Sequence, residues 1–93
     1  LDLGYKACAS DPELGQRLEF PALENADVVL QNEEHLVLRT PEAAKFQPGD
    51  ALLAIPGHAC PTSALHKEVQ VIDPQGRVYD TWTVSARDRR LSI

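Results

Sequence analysis

The chain has 93 residues, a formal net charge of −5 at pH 7 and five aromatic side chains, namely one Trp, two Tyr and two Phe. This length allows a single domain with a small core. Nucleic acids are bound by clusters of basic side chains. The acidic net charge therefore excludes a nucleic-acid partner, because the one basic cluster in the sequence, near its end, comprises only Arg87, Arg89 and Arg90.

The two cysteines, Cys8 and Cys60, are too few for a disulfide framework, so we expect a reducing, cytoplasmic compartment. The sequence shows neither a signal peptide nor an apolar stretch long enough to cross a membrane, because the run near residue 51 is broken at Pro56. The chain opens at Leu1 directly in an alternating pattern, and we therefore expect it to be part of a longer protein.

Short apolar segments predict strands in the first half of the chain. Residues 1–9 alternate with a period of two, which predicts a strand with one buried face. Further short strands are predicted at residues 17–20, 26–30 and 36–39. Glu33, Glu34 and His35 belong to the polar stretch between the last two of these strands, and a solvated loop is the simple account of them.

Helical signals are weak and local. Thr40 as N-cap and Pro41 at the first helical position predict a helix of one or two turns. A strand is predicted at residues 51–55, and a short helical turn at residues 62–67.

A hairpin is predicted near the end of the chain. Its first strand is residues 69–72, and residues 73–76 (Asp-Pro-Gln-Gly) fit a type I turn that closes the hairpin. The returning strand is residues 77–85, whose apolar face carries Val78, Trp82 and Val84, with Asp80 as the exception on that face. We expect the arginine-rich tail, residues 86–93, to pack on something outside this chain.

The pattern as a whole predicts a mainly β fold. Short strands with turns at intervals of roughly ten residues are typical of a small antiparallel β-barrel or sandwich, here with one or two short helices. Such a fold has no preferred function, so function has to be argued from the site.

The candidate site lies in the stretch Pro56-Gly57-His58-Ala59-Cys60-Pro61-Thr62. If the strand continues past residue 55, His58 and Cys60 point to the same face and form a two-residue metal clamp that suits zinc. Two protein ligands leave positions open to water or substrate, which is a catalytic arrangement. The alternative is a chance pair that binds no metal. His66 fits a third ligand by spacing alone, and a surface histidine is its simpler account.

Several short motifs, taken together in this order, resemble one known family. They are Leu1-Asp2-x-Gly4-x-Lys6-Ala7 with Ser10-Asp11, Glu33-Glu34-His35, Pro48-Gly49-Asp50, Pro56-Gly57-His58-x-Cys60-Pro61-Thr62 and Trp82-x-Val84-x-Ala86-Arg87. The chain resembles the C-terminal domain of the D-serine dehydratase and D-threonine aldolase family, which are alanine-racemase-like, fold-type III pyridoxal phosphate enzymes. The resemblance covers essentially the whole chain.

The resemblance implies that His58 and Cys60 bind a divalent metal, and a cysteine ligand favours zinc. The metal would act as a Lewis acid at the β-hydroxyl of a D-amino acid, in dehydration of D-serine or in aldol cleavage of D-threonine. Glu34 and His35 match the family's acidic-histidine motif and are the candidate catalytic residues, reaching the cofactor site of a neighbouring subunit. A solvated loop explains these two residues equally well.

The resemblance also implies partners outside this chain. Pyridoxal phosphate would be bound mainly by an N-terminal barrel domain that these 93 residues lack, so residues 1–93 form a single C-terminal β domain of a longer, homodimeric enzyme. Lys6 is not the cofactor lysine, because the family's lysine lies near the start of the barrel. The isolated chain is expected to be inactive, and neither a nucleic acid nor a membrane is expected as a partner.

Two other functions remain open from the sequence. The first is a non-catalytic small β-barrel that serves binding or assembly, with His58 and Cys60 in a structural role. A thiol enzyme with Cys60 as nucleophile and His58 as base is the third reading, but no orienting carboxylate is evident near the pair.

Overall fold

The computed structural model describes residues 1–92. Across these residues there are six strands, one α-helix and three 3₁₀ turns. The strands are β1 (Leu18–Glu19), β2 (Asp27–Gln31), β3 (Leu36–Arg39), β4 (Ile55–Pro56), β5 (Glu68–Ile72) and β6 (Val78–Thr83). The helix is α1 (Ala59–Ser63), and the 3₁₀ turns are Leu14–Gln16, Ala43–Lys45 and Ser85–Arg87.

The strands form three antiparallel pairs: β1 with β4, β2 with β3, and β5 with β6. The predicted mainly β fold is confirmed. Over residues 1–92 each pair is a two-stranded sheet of its own, and the pairs do not join into a closed barrel. None of the helices in this part of the chain has the length and hydropathy that a membrane span requires.

The core is small and is built largely from loops and strand ends. Cys8, Leu18, Phe20 and Leu36 form its buried centre. Half-buried side chains surround it, namely Leu3, Leu23, Val28, Leu38, Leu52 and Ala54. Because these residues come from widely separated segments, the core joins the start of the chain to β1, β3 and the approach to β4.

The strand predicted at residues 1–9 is wrong, since this segment forms a turn. The Ala7 and Cys8 N–H groups both donate to the Gly4 carbonyl, and the Tyr5 N–H donates to the Asn32 carbonyl. The turn needs glycine because a β-carbon at Gly4 would overlap the backbone carbonyl of Glu33. The alternating pattern does not mark a buried strand face, because Gly4 and Cys8 are buried whereas Leu1 and Tyr5 are exposed.

The strand predicted at residues 51–55 is also largely wrong. Only Ile55 lies in a strand, and its partner β1 has two residues, so no ladder extends over residues 51–54. Leu52 and Ala54 still pack on the core while Leu53 is 78% exposed. The sequence here is an uninterrupted apolar run, and alternate residues of it are half-buried without the hydrogen-bonded ladder that a strand requires.

The predicted helices form in shortened or shifted versions. The hydroxyl of Thr40 accepts a hydrogen bond from the Glu42 N–H at 3.2 Å, but only the 3₁₀ turn Ala43–Lys45 follows. The turn predicted at residues 62–67 begins earlier, because α1 is Ala59–Ser63.

The predicted hairpin is confirmed, including its turn. The Gly76 N–H donates to the Asp73 carbonyl at 2.9 Å, and Gly76 has a φ of 80°, which favours glycine. Asp80 lies on the same face as Trp82, as predicted, and its carboxylate accepts the indole N–H at 3.1 Å. This bond accounts for the one polar residue on an otherwise apolar face.

The hairpin projects from the rest of the molecule. Every residue of β6 is exposed, including Trp82 at 58%. The radius of gyration is 15.0 Å, whereas a compact domain of this length has about 12 Å. The structure describes the arginine-rich tail up to Ser92; Ile93 lies outside the described residues, and the expected packing of residues 86–93 on another partner stays a prediction.

Candidate metal site

His58 and Cys60 lie at the start of α1 and not on a strand. The chain leaves β4 at Pro56, His58 is the extended N-cap residue (φ −133°, ψ 99°), and the helix begins at Ala59. The predicted same-face placement on a strand end is therefore wrong. Both residues nevertheless line one cavity of about 950 Å³, and both are exposed.

The cavity combines the clamp residues with charged side chains from distant parts of the sequence. Besides His58 and Cys60, its lining includes Asp11, Arg87 and Arg89. Asp11 precedes β1 and the two arginines follow β6. The fold thus brings a carboxylate and two guanidinium groups to the clamp.

Asp11 makes the shortest polar contact of the site. Its Oδ2 lies 2.6 Å from Nδ1 of His58, although the two residues are 47 positions apart. Sequence reasoning missed this partner and found no orienting carboxylate for His58. The signal in the sequence is the Ser10-Asp11 motif, which belongs to the family resemblance but lies far from the histidine along the chain.

Thr62 joins the segment before Asp11 to the segment that carries His58. Its hydroxyl accepts the Ala9 N–H at 3.0 Å and donates to the His58 carbonyl at 2.8 Å. The side chain of Thr62 thereby connects the segment that carries Asp11 to the segment that carries His58.

A second contact between the same segments involves His66. Its Nε2 lies 2.8 Å from the Ala7 carbonyl, which can only accept, so this nitrogen is the donor. His66 is half-buried and is not one of the cavity-lining residues. Its contact gives it a structural role, in place of the third-ligand role that spacing allows.

The backbone before His58 is packed tightly against the turn before β1. The Gly57 N–H donates to the Arg17 carbonyl at 2.8 Å, and a β-carbon at Gly57 would overlap the Gln16 carbonyl. The Arg17 side chain in turn donates from Nε to the Pro12 carbonyl at 2.8 Å. The segment that carries Asp11 is therefore anchored on both sides, through Ala9 and through Pro12.

The donor set of the clamp fits a divalent metal with open positions. An imidazole nitrogen and a thiol sulfur are ligands that zinc prefers, and Cys8 and Cys60 are both free thiols, of which Cys60 is exposed. Within residues 1–92, no group of three or more His, Cys, Asp or Glu side chains is arranged to hold a metal ion. His58 and Cys60 are therefore the two candidate donors, and metal binding by them stays a prediction.

The structure supplies the orienting carboxylate that the thiol-enzyme hypothesis lacked, but not the hydrogen bond between the nucleophile and its base. Asp11 orients His58, yet no hydrogen bond between Cys60 and His58 is found in the described part of the chain. A nucleophile and its base need that contact for proton transfer.

Glu34 and His35 lie away from the cavity, on the exposed β2–β3 loop. Lys6 Nζ contacts Glu34 Oε1 and Glu33 Oε2, each at 2.9 Å. The hydrogen bond to Glu34, followed by that to Glu33, raises the pKa of Lys6 above its ordinary value. The catalytic role of Glu34 and His35 in a neighbouring subunit stays a prediction.

Comparison with known proteins identifies a family. The family described as "Putative serine dehydratase domain" matches residues 1–72. No curated protein and no solved structure matches the chain. The matched part contains Asp11, His58 and Cys60, whereas the Trp82 motif and the cavity arginines lie beyond it. The family resemblance predicted from the sequence is confirmed.

Proposed function

The chain belongs to the serine dehydratase domain family, and from this premise we propose that it is the metal-binding C-terminal domain of a pyridoxal phosphate-dependent lyase acting on β-hydroxy D-amino acids. The observation that carries the proposal is the clamp itself. His58 and Cys60 line one cavity, and a carboxylate lies 2.6 Å from the histidine ring.

The metal is proposed to be zinc or another divalent ion held by His58 and Cys60. When bound, it supplies Lewis-acid assistance at the substrate β-hydroxyl, which eases either loss or deprotonation of that group. The chain's own residues provide the donors and hold them: Asp11 contacts the imidazole, and Thr62 binds the backbone of both segments.

The positive charge of two arginines in the cavity lining suits the carboxylate of an amino-acid substrate. Arg87 and Arg89 lie on the same lining as the clamp, and a guanidinium group is well suited to bind a carboxylate. The metal ligands and a positive charge would then contact different ends of one substrate. This supports a β-hydroxy amino acid, whether D-serine for dehydration or D-threonine for aldol cleavage.

Pyridoxal phosphate is proposed to be bound by a barrel domain N-terminal to this chain. The cofactor supplies the electron sink that both reactions need. Lys6 is not the cofactor lysine in this proposal, and its ion pairs with Glu33 and Glu34 support a surface role. The isolated chain is expected to show no turnover with added cofactor. The complete enzyme is proposed to be a homodimer in which Glu34 and His35 approach the neighbouring active site.

The proposal is tested on the complete encoded protein, incubated with D-serine and with D-threonine in the presence and absence of a chelator. Pyruvate from D-serine that disappears with chelator identifies a metal-assisted dehydratase, and glycine with acetaldehyde from D-threonine identifies an aldolase. If neither substrate reacts, or if chelation changes nothing, the function proposed for His58 and Cys60 is wrong.

A binding or assembly module is the second candidate function, and the exposed hairpin favours it. Val78, Tyr79 and Trp82 are more than half exposed, and such apolar surface often marks an interaction site. This alternative predicts that no metal co-purifies and that His58→Ala changes stability alone.

A further inference from the structure

We propose that Asp11 is the positioning residue of the metal site, fixing His58 in the tautomer that carries its proton on Nδ1 and leaves Nε2 as the metal donor. The proposal rests on the proposed function, because it assigns Asp11 a role toward the metal that His58 is proposed to bind.

The tautomer follows from the contact between the two side chains. Oδ2 of Asp11 lies 2.6 Å from Nδ1 of His58. An ionised carboxylate can only accept hydrogen bonds, so Nδ1 must be the donor. In a neutral imidazole the other nitrogen, Nε2, then has a free lone pair.

The carboxylate is held in place by the backbone on both sides of it. Before Asp11, the Ala9 N–H donates to the Thr62 hydroxyl at 3.0 Å. After it, the Pro12 carbonyl accepts from Arg17 Nε at 2.8 Å. The protein therefore sets the position of Asp11 without a metal, which is what a supporting residue needs in order to orient a ligand in advance.

The histidine is held by the same framework. The Thr62 hydroxyl that accepts from Ala9 also donates to the His58 carbonyl at 2.8 Å. The segments that carry the carboxylate and the imidazole are thus both hydrogen-bonded to the side chain of Thr62. Asp11 occupies one ring nitrogen, and His58 lines the cavity together with Cys60, so Nε2 is the nitrogen that remains for a metal.

The chemical consequence is a better oriented ligand. Metal-bound histidines commonly donate their second N–H to a carboxylate or carbonyl, and removal of that partner typically weakens metal binding by about 10- to 100-fold. We therefore expect Asp11→Asn to weaken zinc binding by about that factor. Asp11→Glu keeps the charge with a longer reach and should lie between the wild type and Asp11→Asn.

The experiment uses the complete encoded protein and two measurements. The first is the ¹⁵N shifts of the His58 ring in metal-free protein labelled at histidine, at a pH where the imidazole is neutral; the His58 signal is the one lost in His58→Gln. The second is zinc affinity, measured by competition with a chromogenic chelator. Glu13→Gln is the matched control, because it removes an exposed carboxylate two positions away from Asp11.

We expect His58 to be protonated at Nδ1 in the wild type and in Glu13→Gln. In Asp11→Asn we expect a shift toward Nε2 protonation. Zinc binding should be weaker in Asp11→Asn and unchanged in Glu13→Gln. A wild-type His58 protonated at Nε2, or a tautomer that Asp11→Asn leaves unchanged, would overturn the proposal. If Asp11→Asn does not fold, the intermediate zinc affinity and retained tautomer of Asp11→Glu decide in its place.

The zinc titrations separate this proposal from the proposed function. If the wild type binds zinc and Asp11→Asn binds it equally well, the role of Asp11 is wrong and the metal site stands. If the wild type binds no zinc, the proposed function fails, and the role of Asp11 toward the metal fails with it.

Discussion

The β5–β6 hairpin has secondary structure but an exposed strand, whereas the segment formed by residues 7–11 has no strand but is held by tertiary contacts. The hairpin is an antiparallel ladder with one register shift between Val71 and Ile72 and is closed by a turn, yet all of β6 is exposed. The segment at residues 7–11 contains no strand, but Cys8 and Ala9 are buried and Asp11 contacts His58. Regular secondary structure and tertiary anchoring are therefore separate properties here, and the candidate site depends on the second.

The largest expected effect tests where the stability resides. Leu36 is 1% exposed in the core, whereas Ile72 of the hairpin is 55% exposed. Leu36→Ala should lower the free energy of unfolding by about 2–5 kcal/mol because it leaves a cavity, and Ile72→Ala should change it by about 0.5 kcal/mol or less. Urea denaturation of the complete protein measures both. Equal losses would show that the hairpin is buried against another part of the protein.

A second substitution tests the tight approach of the chain to His58. Gly57→Ala places a β-carbon against the Gln16 carbonyl, whereas Gly15 has no heavy atom nearby and does not have a positive φ. Overpacking of this kind costs about 1–3 kcal/mol, so Gly57→Ala should lower the melting temperature clearly and Gly15→Ala should not. Indistinguishable melting curves would contradict the packing described for the segment before the clamp.

The hydroxyl of Thr62 offers a more local test. Thr62→Val leaves the Ala9 N–H, on a residue 6% exposed, without its acceptor. A buried group left unpaired in this way costs about 1–3 kcal/mol. The control is Ser63→Ala, whose hydroxyl donates only to the Ala59 carbonyl of the same helix and is exposed. Chemical denaturation should rank the two variants in that order, and a reversed order would remove Thr62 from its linking role.

The smallest effect concerns the ion pair of Glu42 with Lys45, in which Lys45 is exposed and Glu42 is half-buried. The Glu24 N–H, and after it Lys45, bind the carboxylate of Glu42 and lower its pKa. A carboxyl group whose pKa is lowered by folding stabilises the protein above the pKa of the unfolded chain, and this contribution is lost as the pH falls through the folded-state value.

Glu42→Gln should therefore lower the melting temperature slightly at neutral pH, and its difference from the wild type should close as the pH falls into the acid range. Glu24→Gln is the control, because Glu24 acts through its backbone N–H. A difference that stays constant with pH would contradict the ion-pair account.

The parts of the fold that the sequence predicted are those set by near neighbours. The turn at residues 73–76 and the strand β3 depend on residue types within a few positions, so local patterns identified them. The prediction for residues 1–9 is wrong because Gly4 packs on the Glu33 backbone, a long-range contact that the alternating pattern does not record, and this packing buries Gly4 and Cys8 while Leu1 and Tyr5 stay exposed.

The residues of the candidate site also fall into those that a local sequence pattern identifies and those that only a long-range contact identifies. His58 and Cys60 are recognisable as candidates because they lie two positions apart within one short motif, although their predicted placement on a strand is wrong. Asp11 was missed because its contact with His58 spans 47 positions and depends on Thr62 and Arg17 holding its segment. No local pattern records a contact of that kind.

The most direct test of the account is the metal content of the complete protein, purified without added chelator and analysed by elemental mass spectrometry. We predict about one zinc or similar divalent ion per chain, as one two-donor clamp implies, with loss of that metal in the His58→Ala, Cys60→Ala double variant. The control variant His35→Ala, which removes an exposed histidine outside the cavity, should retain it. A wild type without metal, or a double variant that keeps its metal, would contradict the central claim.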